Sequence, residues 1–443
     1  MHCTGRKNVA GWFIRKHQLP IAMHFFKGAI MTITMRPARS ATSLVFEAKI
    51  FKAKVFKAIV STAMVSTAII FTLAHTGYLL AADKPVAATT APAFQVDPFW
   101  PQPLPNHWVL GSAIGVGVDS RDHVFVIHRR NSFNERTEIG AATEPPTSEC
   151  CIPAPNILEF DPQGNLVNAW GGPGEGYVWP ASNHGLSLDP KDNIWIGGNG
   201  AKDSHILKFS RDGQFLQQIG TPGQDGDSNS MEHFGRVAKI SFDAAANEAY
   251  VSDGYTNKRV AVLDTDTGAF KRYWGAYGNK PDDTNLGRYH PDDPLAQQFR
   301  NPVHCAEPSR DGLVYVCDRA NDRIQVFKLD GTFVTEKRIA PKTLGDGSVW
   351  DIAFSRDKDQ KYLYLADGKN MKVYILDRAS LSILTSFGDG GRQPGQFFAV
   401  HSIATDSKGN IFTTETYEGK RVQKFSYRGL EKVTTKDQGT LWG

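Results

Sequence analysis

Cysteine is scarce: the chain has 5 in 443 residues, spaced neither as a disulfide scaffold nor as a zinc finger. Cys150 and Cys151 adjoin, while Cys305 and Cys317 fall on what read as neighbouring strands, where a bridge would form in an oxidising compartment. An excess of charge of one sign is equally lacking. Lys and Arg number 50 against 46 Asp and Glu, a formal net of +4, and the basic surplus sits in the first sixty residues. That leaves no electrostatic footprint for nucleic acid. The long hydrophobic run is AIVSTAMVSTAIIFTLA, Ala58–Ala74, behind Lys52, Lys54 and Lys57 and ahead of small residues at Ala81 and Ala82. This is the pattern of an export signal with a cleavage site, with Met31 and Met35 as rival starts. The alternative is an uncleaved membrane anchor over 58–74, since the run is near the lower limit for spanning. Residues 1–82 thus read as a leader, 83–105 (rich in Pro, Ala and Thr) as a linker, and the protein as periplasmic or extracellular, touching membrane only through its N-terminal segment.

Turn residues, by contrast, are plentiful. Forty-one glycines and nine tryptophans suit a turn-rich β protein. From Ser112 onward one unit recurs: "IGVGVDSRDHVFVIHRR", "HGLSLDPKDNIWIGGNG", "RVAKISFDAAANEAYVSDGYTNKRVAVLD", "HCAEPSRDGLVYVCDRANDRIQVFKLDG", "WDIAFSRDKDQKYLYLADGKNMKVYILD" and "HSIATDSKGNIFTTETYEGKRVQKFSYRG". Unit ends recur as "NAWGG", "QQIG", "RYWGA" and "TSFGDGG". Six copies of an alternating strand, an Asp/Asn/Gly turn and three further strands predict an all-β, six-bladed β-propeller of NHL-type repeats over 106–438. "NHWVLGS" (106–112) looks like a final strand without its unit and is expected to complete the last blade, with 431–438 as the alternative.

Aligning the six inner strands on their turns puts Ile114, His184, Ala238, His304, Trp350 and His401 at one position. Histidine fills every second unit. Alternate blades of a six-membered ring stand about 120° apart by symmetry, so three imidazoles at one height would meet on the axis. That is a three-nitrogen metal site with an open position, favouring zinc, although imidazole also suits iron, copper or nickel. Singly, each histidine reads as a core residue; nine histidines lie beyond the linker, and three in strict alternation are a pattern. At the ends of second strands stand Arg129, Tyr255 and Arg319, which beside a metal would form an anion clamp with an acid/base. Arg259 and Arg323, four residues on, read as braces within their blades.

With "VFVIHRRNSF", "HGLSLD", "VSDGYTNKR", "CDRANDRIQVF" and "VHSIATD", the chain resembles the peptidyl-α-hydroxyglycine α-amidating lyases over roughly 105–430. The resemblance implies zinc on His184, His304 and His401, a catalytic Tyr255, and active-site arginines at Arg129 and Arg319. It also implies a structural calcium on the carbonyls of Val116 and Leu186, but Ser402 stands where the family has an aspartate, and a hydroxyl brings no charge to a hard cation. Thr256 replaces a family cysteine, so that disulfide is absent, and 131–156 is an insertion where substrate would enter. The implied reaction is C–N cleavage of a small-molecule or peptide carbinolamide bearing a carboxylate, giving an amide and glyoxylate, by a monomer. Two other readings compete: a non-enzymatic binding platform, and a metal-dependent hydrolase or lactonase.

Overall fold

In three of the six repeats the hairpin between first and second strands is closed by an aspartate that accepts hydrogen bonds from the backbone two and four residues on. Asp119 takes Arg121 N and His123 N, Asp189 takes Lys191 N and Asn193 N, and Asp406 takes Lys408 N and Asn410 N. These local turns fix the register of β-branched strands that pair antiparallel. A computed structural model describes residues 89–442, so the leader and the anchor or signal segment lie outside the described residues. Six four-stranded sheets result, a six-bladed propeller whose inner strands are Ala113–Val118, Asn183–Leu188, Val237–Asp243, Val303–Pro308, Asp351–Phe354 and Val400–Thr405.

Apolar residues pack between blades. Ile114 and Phe125 of blade one meet Leu186 and Ile194 of blade two, and Tyr364 and Phe387 of blade five meet Ile403 and Phe425 of blade six. Each such buried side chain contributes about 1.5–3 kcal/mol. Cys305 and Cys317 stand opposite one another in blade four, Cα atoms 4.8 Å apart, joined by a disulfide. Arg259 and Arg323 lie inside their blades against Asp253 and Asp318, at 2.8 and 2.7 Å.

The ring is closed by a different segment from the one the sequence indicated. The fourth strand of blade six is Thr90–Asp97, within the expected linker, paired with Arg421–Lys432. Phe94 and Val96 alternate inward from it, and Pro92 is tolerated because the strand is an edge. Its Pro, Ala and Thr content hid a strand. Residues 106–112 do not complete blade six: Trp108–Val109 pairs parallel with Ile152–Pro153 of the 131–156 insertion. Nor do 431–438 fill that place; Lys436 and Gln438 bond Ser386 on the outer strand of blade five. The propeller therefore begins near Thr90 and not at 106.

Candidate metal centre

At ligand height the inner strands are irregular. Pairing jumps from Val303 to Cys305 and from Val400 to Ser402, so His304 and His401 are the extra residues of β-bulges. In blade two the jump is from His184 to Leu186. A bulge re-aims a side chain out of the pleat, here toward the axis. Gly185 has φ +48, and a Cβ there would lie 2.2 Å from the Ala238 carbonyl oxygen. That close approach requires glycine.

The three imidazoles meet. Their ring centroids form a near-equilateral triangle with sides of 5.1, 4.8 and 4.9 Å, and each ring is buried. Each Nδ1–H donates to a backbone carbonyl: His184 to Ala238 at 2.7 Å, His304 to Trp350, and His401 to Ile114 at 2.8 Å. The acceptors are the odd-blade residues of the same aligned position. Odd blades thus hold the rings that even blades supply. With Nδ1 protonated, each Nε2 lone pair is left for the axis. Burial first, then nearby guanidinium and imidazole charges, holds all three pKa values well below the ordinary histidine range. Neutral imidazoles with tethered Nδ1 and ligand atoms within 4.8 Å of one another fit a divalent metal such as zinc.

Around this point stand the other named side chains. Tyr255 Oη lies 2.7 Å from His184 Nε2 and 3.3 Å from His304 Nε2. Arg129 donates to Asn183 O at 3.1 Å and to Asn199 Oδ1 at 2.9 Å, both neutral acceptors. The Arg319 guanidinium lies 4.6 Å from the centroid of the Trp350 ring and 6.0 Å from that of Tyr255, and its buried Nε has no partner. Asp346 stands 3.7 Å from Arg319 Nη2 and accepts from Tyr417 Oη at 3.3 Å. Sequence reasoning passed over Asn199 and Tyr417. Both follow second strands as Arg129 and Tyr255 do, so the alignment that found the histidines would have found them.

The donor set around the implied calcium position adds to the doubt that Ser402 raised. Val116, Leu186, Lys239 and Glu307 line one channel cavity of about 570 Å³ beyond the histidines. Lys239 Nζ lies 2.7 Å from both Glu307 Oε1 and Asp351 Oδ1, and Ser402 Oγ donates to Asp351 Oδ2 at 2.7 Å. Burial alone would lower the Lys239 pKa, yet Asp351 and then Glu307 hold it above its ordinary value. An ammonium occupies the carboxylates and the serine hydroxyl is a donor, so these residues do not fit a second cation.

No protein-family model matches the chain. NHL repeat-containing protein 3 of Mus musculus is 24% identical over 353 residues, 75% of this chain and 84% of that protein. Peptidyl-alpha-hydroxyglycine alpha-amidating lyase 1 of Drosophila melanogaster is 24% identical over 357 residues, 75% of this chain and 60% of its own length. Peptidylglycine alpha-amidating monooxygenase of Rattus norvegicus is 27% identical over 336 residues, 73% of this chain; the chain spans 32% of that protein. The chain is thus a distant relative, by sequence, of amidating lyases and NHL repeat proteins, built as a six-bladed propeller.

Proposed function

We propose that the protein is a metal-dependent carbon–nitrogen lyase that cleaves N-acyl-α-hydroxyglycines to an amide and glyoxylate. The observation that carries this reading is the convergence of three carbonyl-tethered imidazoles beside a phenol, flanked by the Arg129 guanidinium, which has only neutral acceptors, and by Arg319, whose Nε has no partner. The names of the amidating relatives support it. A bound zinc ion would supply Lewis acidity toward the substrate hydroxyl and positive charge at the centre. Arg129 binds the substrate carboxylate bidentately, which sets the C–N bond against the histidines. Tyr255 Oη, acting as base in its deprotonated, phenolate form, takes the hydroxyl proton. The C–O bond becomes a carbonyl, the C–N electron pair leaves on nitrogen, and the same proton passes from Tyr255 to that nitrogen. Arg319, close to the Tyr255 ring, stabilises the phenolate before the proton is taken and after it has passed to nitrogen. No oxidant or water is consumed.

The test is elemental analysis of the purified propeller followed by a glyoxylate assay with α-hydroxyhippurate. One metal per chain and stoichiometric glyoxylate are expected. Metal-loaded protein that releases none would overturn the lyase, and protein that binds no metal would point to a platform.

A further inference from the structure

A second cavity lies apart from the three histidines. It measures about 640 Å³ and is walled by the 279–300 loop between blades three and four, by Ala320 beside Arg319, and by Asp346. Three cations line it: Lys258, Arg288 and Arg300. Several arginines elsewhere hold carboxylates, as Arg259, Arg272, Arg323 and Arg378 do. Among the described residues these three have none within 4.0 Å. Lys258 is only 3% exposed, and its ammonium donates to the neutral Thr284 carbonyl. Arg300 donates to Asn321 Oδ1 at 2.9 Å and to the Leu286 carbonyl at 3.0 Å, again neutral groups. Asp282 and Asp283 act on Lys258 only from a distance, and Asp283 is taken by the Ser228 amide and hydroxyl. Burying a lysine with no anion is costly unless a ligand supplies one.

The cavity adjoins the site. Asp346 on its wall stands 3.7 Å from Arg319, so a molecule held by the central arginines can extend past Asp346 into it. We propose that this cavity is an acyl subsite selecting substrates whose N-acyl part carries a second carboxylate, as an acidic residue does. A volume of this size suits one or two residues. The substrate class rests on the lyase reading; the anion site itself does not.

Two α-hydroxyglycine substrates, one N-benzoyl and one N-acylated by N-acetylglutamate, separate the ideas. The wild type is expected to favour the acidic substrate, chiefly through KM. In Arg288→Glu, at an exposed position, and in Lys258→Met, the acidic-to-neutral ratio of kcat/KM should fall at least about tenfold. An unchanged ratio in a folded Arg288→Glu protein would overturn the subsite. Calorimetric titration with N-acetylglutamate reads the cavity without turnover. Binding that weakens in both variants sustains the subsite even if neither substrate is cleaved, which would sink only the lyase. Binding indifferent to both substitutions overturns it.

Discussion

Replacing Lys239 by methionine keeps most of the side-chain stem and removes the ammonium that Glu307 and Asp351 share at 2.7 Å each. Both carboxylates then face the channel without a counter-charge. Removing one partner of a buried ion pair costs about 3–5 kcal/mol. With an unfolding entropy near 2 cal/mol/K per residue over roughly 350 residues, that is a fall in Tm of about 4–7 °C. The sign with pH follows from Glu307, whose carboxyl burial already pushes above its ordinary value. A folded-state pKa raised further in the variant means that its folded form keeps a proton the unfolded chain has lost. The deficit should therefore deepen as pH rises from the acid range toward 8. Calorimetry of zinc-loaded, calcium-free protein measures it. Wild-type Tm should not change when millimolar calcium is added, because a ligand that binds only the native state must raise Tm. A calcium-dependent rise in the wild type, or a Lys239→Met protein as stable as wild type at pH 8, would refute the view that the ammonium stands in for a structural cation.

Tyr255→Phe should lower glyoxylate turnover by about 10²–10⁴-fold with metal content unchanged, whereas His304→Ala should lose the metal; mass spectrometry and the assay together check both. Gly185→Ala, whose Cβ would meet the Ala238 carbonyl at 2.2 Å, should displace His184 and weaken metal retention against a chelator, with most of the Tm kept. Asp322, whose Oδ1 accepts from Ser348 N, has its carboxyl pushed up to about 7, mainly by burial. Its unfolded value is near about 3.9, so this group's stabilisation is complete below that pH and lost as pH rises through 7. Asp322→Asn should therefore match wild type in Tm in acid and exceed it above neutrality.

Much of the centre was legible because a propeller turns chain period into spatial symmetry. Strict alternation of His184, His304 and His401 with Ile114, Ala238 and Trp350 carried the geometry without any contact being known. What lay hidden was backbone detail. No residue pattern announced the bulges at His304 and His401, since a bulge is a choice of pairing and leaves no fixed composition. The channel network was missed for another reason. Lys239, Asp351 and Ser402 each follow an aligned position by one residue, so their convergence was in the same alignment, but lysine on an inner strand reads as solvent-facing until the carboxylates opposite are placed. The closing strand was missed because Thr90–Asp97 pairs across some 330 residues of sequence with Arg421–Lys432, and its Pro and Ala content resembles a linker.

Ring closure and the third imidazole are one event. His401 of blade six donates to Ile114 of blade one, 287 residues away, so this ring is oriented only when the two ends of the propeller have docked. Trp100 sits in that seam, 4.9 Å from Phe412 of blade six and 5.7 Å from Phe160 of blade one by ring centroids, and is 4% exposed. Trp100→Ala should cost about 3–5 kcal/mol, as should Phe327→Ala, a fully buried change in the core between blades three and four. If stability alone governed the centre, the two variants would lose metal alike. Because only the seam carries the His401 tether, Trp100→Ala should release metal to a chelator faster than Phe327→Ala at matched Tm. Equal release would mean that the imidazole is held by its own blade and that closure contributes nothing to the site.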